Sequence, residues 1–128
     1  MGLQIVRLIG TTDSSGDVTV NHTTTVQGLL YMVEWIDGDL ADGNDAVLSV
    51  QSVAGESAAA TTLLTLTNAN SDARYYPRAL THDDTGTALT GTAGGDRVAP
   101  VVSGVPRLVI SSGGDTKTGG CVLYIVTP

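Results

Sequence analysis

Asp37, Asp39, Asp42 and Asp45 fall within the ten residues DGDLADGNDA, 37–46. Clustered carboxylates are what calcium, a hard cation, takes as ligands. An EF-hand loop, however, needs an oxygen ligand at its fifth position, Gly at its sixth and a bidentate Glu at its twelfth. Counted from Asp37, those places hold Ala41, Asp42 and Leu48, and the register fails. The four Asp remain candidates for a calcium site of another geometry. Asp and Gly are also what a tight turn between strands demands. The segment is therefore expected to be a solvent-facing turn, and no metal or other cofactor is expected.

A second group, His82, Asp83 and Asp84, sits in THDDTG. A serine triad would need a positioned nucleophile, and no G-x-S-x-G elbow occurs. Asp84-Thr85-Gly86 matches the D-T-G of aspartic proteases, where two carboxylates share one proton. This chain holds one copy, so a second chain would have to supply the partner, and THD stands where an apolar run is expected. Cys121, the single Cys, lies between GG and VLYIV and reads as a small buried side chain in a strand. GTALTGTAGGD (86–96) lacks the GK[ST] ending of a phosphate loop. Trp35, Tyr75, Tyr76 and Tyr124 could line a sugar site, but Trp35 lies in the most apolar segment and reads as core. Tyr75 and Tyr76 point to opposite faces, so one of them can reach a partner. No catalytic set assembles, and the chain is expected not to be an enzyme.

The elements that must position these residues are strands. LQIVRLIGT (3–11) is apolar on both faces, with Leu3, Ile5 and Ile9 on one and Val6 and Leu8 on the other. GLLYMVEWID (28–37) places Leu29, Tyr31, Val33 and Trp35 on one face and Leu30, Met32 and Ile36 on the other. DVTVNHT (17–23), DAVLSVQSV (45–53), LLTLTN (63–68), VPRLVISS (105–112) and GCVLYIVT (120–127) read as further strands, and VAPVVSG (98–104) as extended chain. Pro77 demotes DARYYPRALTH (72–82) to an edge strand or bulge. GGDTKTG (113–119) reads as the hairpin loop joining the last two strands, 54–62 as one helical turn or a loop, and 86–96 as a Gly-rich flexible segment. No amphipathic helix is visible. The expectation is a single all-β domain over 1–128, with residues 1–11 as an N-terminal arm or strand. Its architecture would be a compact β-sandwich or jelly-roll-like barrel of about eight strands, and an immunoglobulin-like order fits the count nearly as well.

Composition narrows the function classes. Only 15% of residues are charged, against about 25% in ordinary domains. The net charge is −7 and the isoelectric point near 4.3, which argues against nucleic acid and against an anionic membrane surface as partners. No signal peptide and no run of transmembrane length is visible, so a soluble protein made in a cytoplasm is expected. An antiparallel sandwich normally wets its outer faces. Strands apolar on both faces therefore imply burial against another copy or another protein. The contact residues expected are Leu3, Ile5, Val6, Tyr75, Arg74 and Arg78, together with segments 2–9, 54–61 and 86–96. Arg74 and Arg78 share a strand face in this reading and suit inter-subunit ion pairs.

The C-terminal half adds a resemblance. TGTAGG (90–95), G-x-x-RLVI (104–110), GG-x-x-KTG (113–119) and the final apolar strand 121–126 follow one another, preceded by ARYYPRAL (73–80). In this order they resemble the C-terminal half of small virion proteins of tailed bacteriophages. The resemblance implies a head decoration or cement protein on the capsid exterior, with the major capsid protein and its own copies (homodimer or homotrimer) as partners. A neck, tail or baseplate component is the nearest alternative, and a calcium- or carbohydrate-binding β-sandwich module the alternative from another class.

Overall fold

The computed structural model describes residues 2–51, 60–88 and 97–127. The expected contacts at 54–61 and 86–96 lie largely outside these residues. The described chain forms ten strands. They are β1 (Gly2–Thr11), β2 (Val18–Asn21), β3 (Val26–Ile36), β4 (Asp45–Gln51), β5 (Thr61–Leu66), β6 (Ala73–Tyr75), β7 (Ala79–Leu80), β8 (Arg97–Val98), β9 (Val101–Ser111) and β10 (Thr118–Thr127). No described helix is long and apolar enough to cross a membrane.

Pairing is antiparallel throughout. One sheet runs β1-β10-β3-β6 and the other β2-β9-β4-β5. With the small β7–β8 ribbon set aside, eight strands pair first with last, second with seventh, third with sixth and fourth with fifth. That nesting is the jelly-roll order. At one corner Val26–Leu29 of β3 also pairs with Val101–Gly104 of β9, which joins the two sheets.

The core lies between the sheets. Leu8, Leu30, Trp35, Leu123 and Ile125 face Leu48, Leu108 and Ile110, all essentially inaccessible to water. Trp35 is the largest of them, and its indole N–H donates to the Ala69 carbonyl at 3.1 Å. That bond meets the requirement that a buried donor find a partner.

Four features depart from the sequence expectation. First, strict alternation fails in β3. Its register against β10 slips between Leu30, opposite Ile125, and Met32, opposite Tyr124. Tyr31 is the extra residue of a β-bulge, which puts two residues opposite one. The inward set is thus Leu30, Val33 and Trp35, and Tyr31 joins Leu29 on the outer face. Second, Pro77 breaks 72–82 into two short strands, β6 and β7. Third, 101–104 and 105–111 form the single long strand β9, while Val98 belongs to β8. Fourth, GGDTKTG is not a hairpin loop, because β9 and β10 lie in different sheets. It is an arch between sheets, and so is DGDLADGNDA between β3 and β4.

Candidate functional site

The arches stack at one end of the sandwich. Gly113 N–H donates to the Gly16 carbonyl (2.8 Å) and Ala41 N–H to the Gly113 carbonyl (2.9 Å), which ties segments 12–17, 37–44 and 112–117 together. Thr12, almost fully buried, adds a hydroxyl that accepts from Lys117 N–H at 2.8 Å.

Within this knot the four candidate Asp do not converge. Asp39 turns to accept from Thr118 N–H (2.6 Å), and Asp45 accepts from Asn68 N–H (3.0 Å). Asp37 faces Asn44, and Asp42 is exposed. Burial holds the Asp37 carboxyl above its usual range, and the charges of Asp42 and Asp72 add to this against the Asn44 hydrogen bond. Among the described residues no three His, Cys, Asp or Glu are placed to hold a metal ion. Nor is the segment simply a wet turn. Leu40 is inserted into the core, and Asn44 is fully buried. Asn44 donates to the carbonyls of Ala41 (3.0 Å) and Ala69 (3.1 Å), so this arch is clamped to the same carbonyl that holds Trp35.

The D-T-G triplet has an equally local use. Asp83 Oδ1 accepts from the N–H groups of Thr85 and Thr87, both at 2.9 Å, and Gly86 N–H returns to the Asp83 carbonyl. Asp13 builds the same loop at 13–17, with N–H bonds from Ser15 (2.8 Å) and Asp17 (3.0 Å). In both, Gly at the fourth place takes a positive φ, 85° at Gly16 and 88° at Gly86. Hydrogen bonds from Thr87 and then Thr85 hold the Asp83 carboxyl below its usual range. Asp84 is exposed at the tip. The triplet is a strand-linking turn that Asp83 organises.

Cys121 is buried in the core, and desolvation pushes its thiol from the ordinary 9.0 up to about 12. The folded protein keeps this proton where the unfolded chain releases it. Its contribution to stability is therefore whole below pH 9.0 and is lost as pH rises toward about 12. The expected slope is about 1.4 kcal/mol per pH unit in that window. Urea melts of wild type and Cys121→Ala at pH 9, 10 and 11 check it. The wild type should lose stability more steeply, and parallel curves would contradict the assignment.

The surface that stands apart is the outer face of β1-β10-β3-β6. Pairing registers place its residues in rows across the sheet. Leu3, Val126, Leu29 and Val101 form one row, and Ile5, Tyr124 and Met32 the next. Leu3 is 60% exposed, Ile5 56% and Val101 72%. Tyr31 stands beside them, 52% exposed, with its ring edge-on to Tyr76 at 6.0 Å between centroids. Arg78 lies over the Tyr31 ring at 5.8 Å and donates to the Tyr31 carbonyl at 3.2 Å. The following row is Arg7, Val122, Glu34 and Arg74, where Arg74 pairs with Glu34 at 3.3 Å. The face is thus an apolar field with an arginine border. The opposite outer face is ordinary by comparison, with rows such as Thr19–Val109–Val47–Thr65 and Asn21–Arg107–Ser49.

Of the expected contact residues, Leu3 and Ile5 lie in this field and Arg74 and Arg78 at its border. Val6 does not, since at 1% exposed it belongs to the core. Tyr75 packs against the core as well, and its neighbour Tyr76 takes the outer place. Arg74 and Arg78 do not share a strand, because β6 ends before Pro77. Tyr31 and Val101 were not expected here. The apolar run around Val101 was a usable signal, whereas the bulge that turns Tyr31 outward left none in the sequence.

Comparisons with protein-family models, curated proteins and solved structures return no significant match.

Proposed function

We propose that this chain is a non-enzymatic structural protein of a tailed-bacteriophage virion, a capsid cement or decoration protein that bridges major capsid subunits. The observation that carries the reading is the apolar outer face of β1-β10-β3-β6. Contiguous exposed apolar surface with a polar rim marks a protein-interaction site. Here it spans β1, β10 and β3, with a Tyr pair and an arginine beside it, the residue types enriched where interfaces gain most of their energy. An outward sheet face suits contact with another protein better than it suits enclosing a small substrate. The sequence resemblance over 73–126 points the same way. The jelly-roll order alone does not, because that architecture serves capsid proteins, lectins and cupins alike.

The test is co-sedimentation of the purified protein with expanded heads of the phage that encodes it. The wild type should pellet with heads, and heads lacking it should be less stable. Tyr31→Asp should weaken binding at least about tenfold, since the aromatic ring is lost and a carboxylate, even beside Arg78, would be desolvated on docking. Association with tails alone, or head binding unaffected by Tyr31→Asp, would overturn the reading.

A further inference from the structure

We infer that the free edge of β1 pairs with the same edge of a second copy, antiparallel about a two-fold axis, to give a dimer with one continuous sheet. β1 is a ten-residue strand whose only pairing among the described residues is to β10. Its register with β10 runs unbroken from Gly2 to Thr11. Among the described residues the other edge is therefore a row of N–H and C=O groups open to pairing.

Proteins normally blunt such edges with short strands, Pro, Lys or bulges. The remaining outer strands of this sandwich follow that rule. β2 has four residues, and β6 has three and is closed off by Pro77. β5 has six, and its register with β4 is bulged. β1 has neither a Pro nor a bulge, its single charged side chain is Arg7, and it carries exposed Leu3 and Ile5.

Charge selects a second copy at the edge over a second copy at the face. The acidic residues crowd the arches, with Asp13 and Asp17 just past the C-terminal end of β1. The N-terminal half of β1 lies at the far end of the strand, on the order of 20 Å away at about 3.3 Å per residue. It is where two chains of net charge −7 can approach with least repulsion between their arches. Face-to-face packing would instead cover the exposed Arg7 and Arg78 at the border of the field. Antiparallel pairing of β1 with itself also matches pleats automatically, setting outward Leu3, Ile5 and Arg7 beside outward residues and inward Val6 and Leu8 beside inward ones. The result would be an eight-strand-wide outer face, with both apolar fields on the same side.

This dimer does not depend on the docking reading, and the test keeps the two apart because no head is present. Sedimentation velocity of the purified protein over the micromolar range should show a doubling of mass. Ile5→Cys should then form a disulfide-linked dimer on mild oxidation, since native Cys121 is buried and the exposed strand position tolerates the change. Tyr31→Cys, on the outer face away from the β1 edge, and Val109→Cys, on the opposite sheet, should remain unlinked. A monomer throughout would overturn the proposal. So would a dimer linked through Tyr31→Cys rather than Ile5→Cys, which would mean face-to-face packing.

Discussion

Trp35→Ala is expected to lower the unfolding free energy by about 3–5 kcal/mol, the range for removing a buried aromatic. Trp35 is 1% exposed and is the largest side chain in the core. Val33, Ala46, Leu48, Leu66, Leu108 and Cys121 surround the same small space beside it. They come from strands of both sheets, so collapse into the vacated volume would require the sheets to move together. The hydrogen-bond loss is milder, because the Ala69 carbonyl keeps its bond from Asn44. Trp35→Phe should therefore cost clearly less, with the smaller ring filling part of the volume. Domains of this size hold about 5–15 kcal/mol in total, so Trp35→Ala would leave little margin. Urea denaturation reads the effect as a lower midpoint with an unchanged slope. A loss under about 1 kcal/mol would mean that the two sheets do not depend on Trp35 for their packing.

Gly104→Ala is expected to cost about 3 kcal/mol or more, by a different mechanism. Gly104 has φ +141° and sits in β9 where that strand passes from β3 to β4. A Cβ there would collide with the Gln51 carbonyl oxygen and come within 2.8 Å of Val50 Cγ1. Backbone strain and overpacking each contribute about 1–3 kcal/mol. Gly86→Ala is the matched control. Gly86 also has a positive φ, +88°, but a Cβ there would meet nothing within 4 Å. It should show the strain component alone. Equal losses for the two variants would contradict the close approach of backbones at the corner.

The strand segments and the all-β class were legible because apolar residues alternate along most of the chain. β1, β4 and β10 lie close to the runs that pattern marks. Pairing was not legible, since alternation identifies a face and says nothing about the neighbour. For that reason 113–119 read as a hairpin and proved to be an arch, and 37–46 read as a solvated turn and proved to carry Leu40 and Asn44 into the core. Tyr31 was misassigned because one inserted residue reverses every later side chain in a strand. Val6 was counted with the contact residues although alternation already set it on the face opposite Leu3 and Ile5; with both faces apolar, the sequence did not tell which one turns inward. The surplus apolarity of 3–11 and 28–37 was legible, and it is what leads to the outer face.

The most direct test of that face is a density map of the intact virion. The proposed decoration role predicts this jelly roll on the head, with Leu3, Ile5, Leu29, Tyr31 and Val101 buried against major capsid subunits and the Thr19–Val109–Val47 face turned to solvent. A map with the β1-β10-β3-β6 face open to solvent, or with the protein absent from the head, would contradict it.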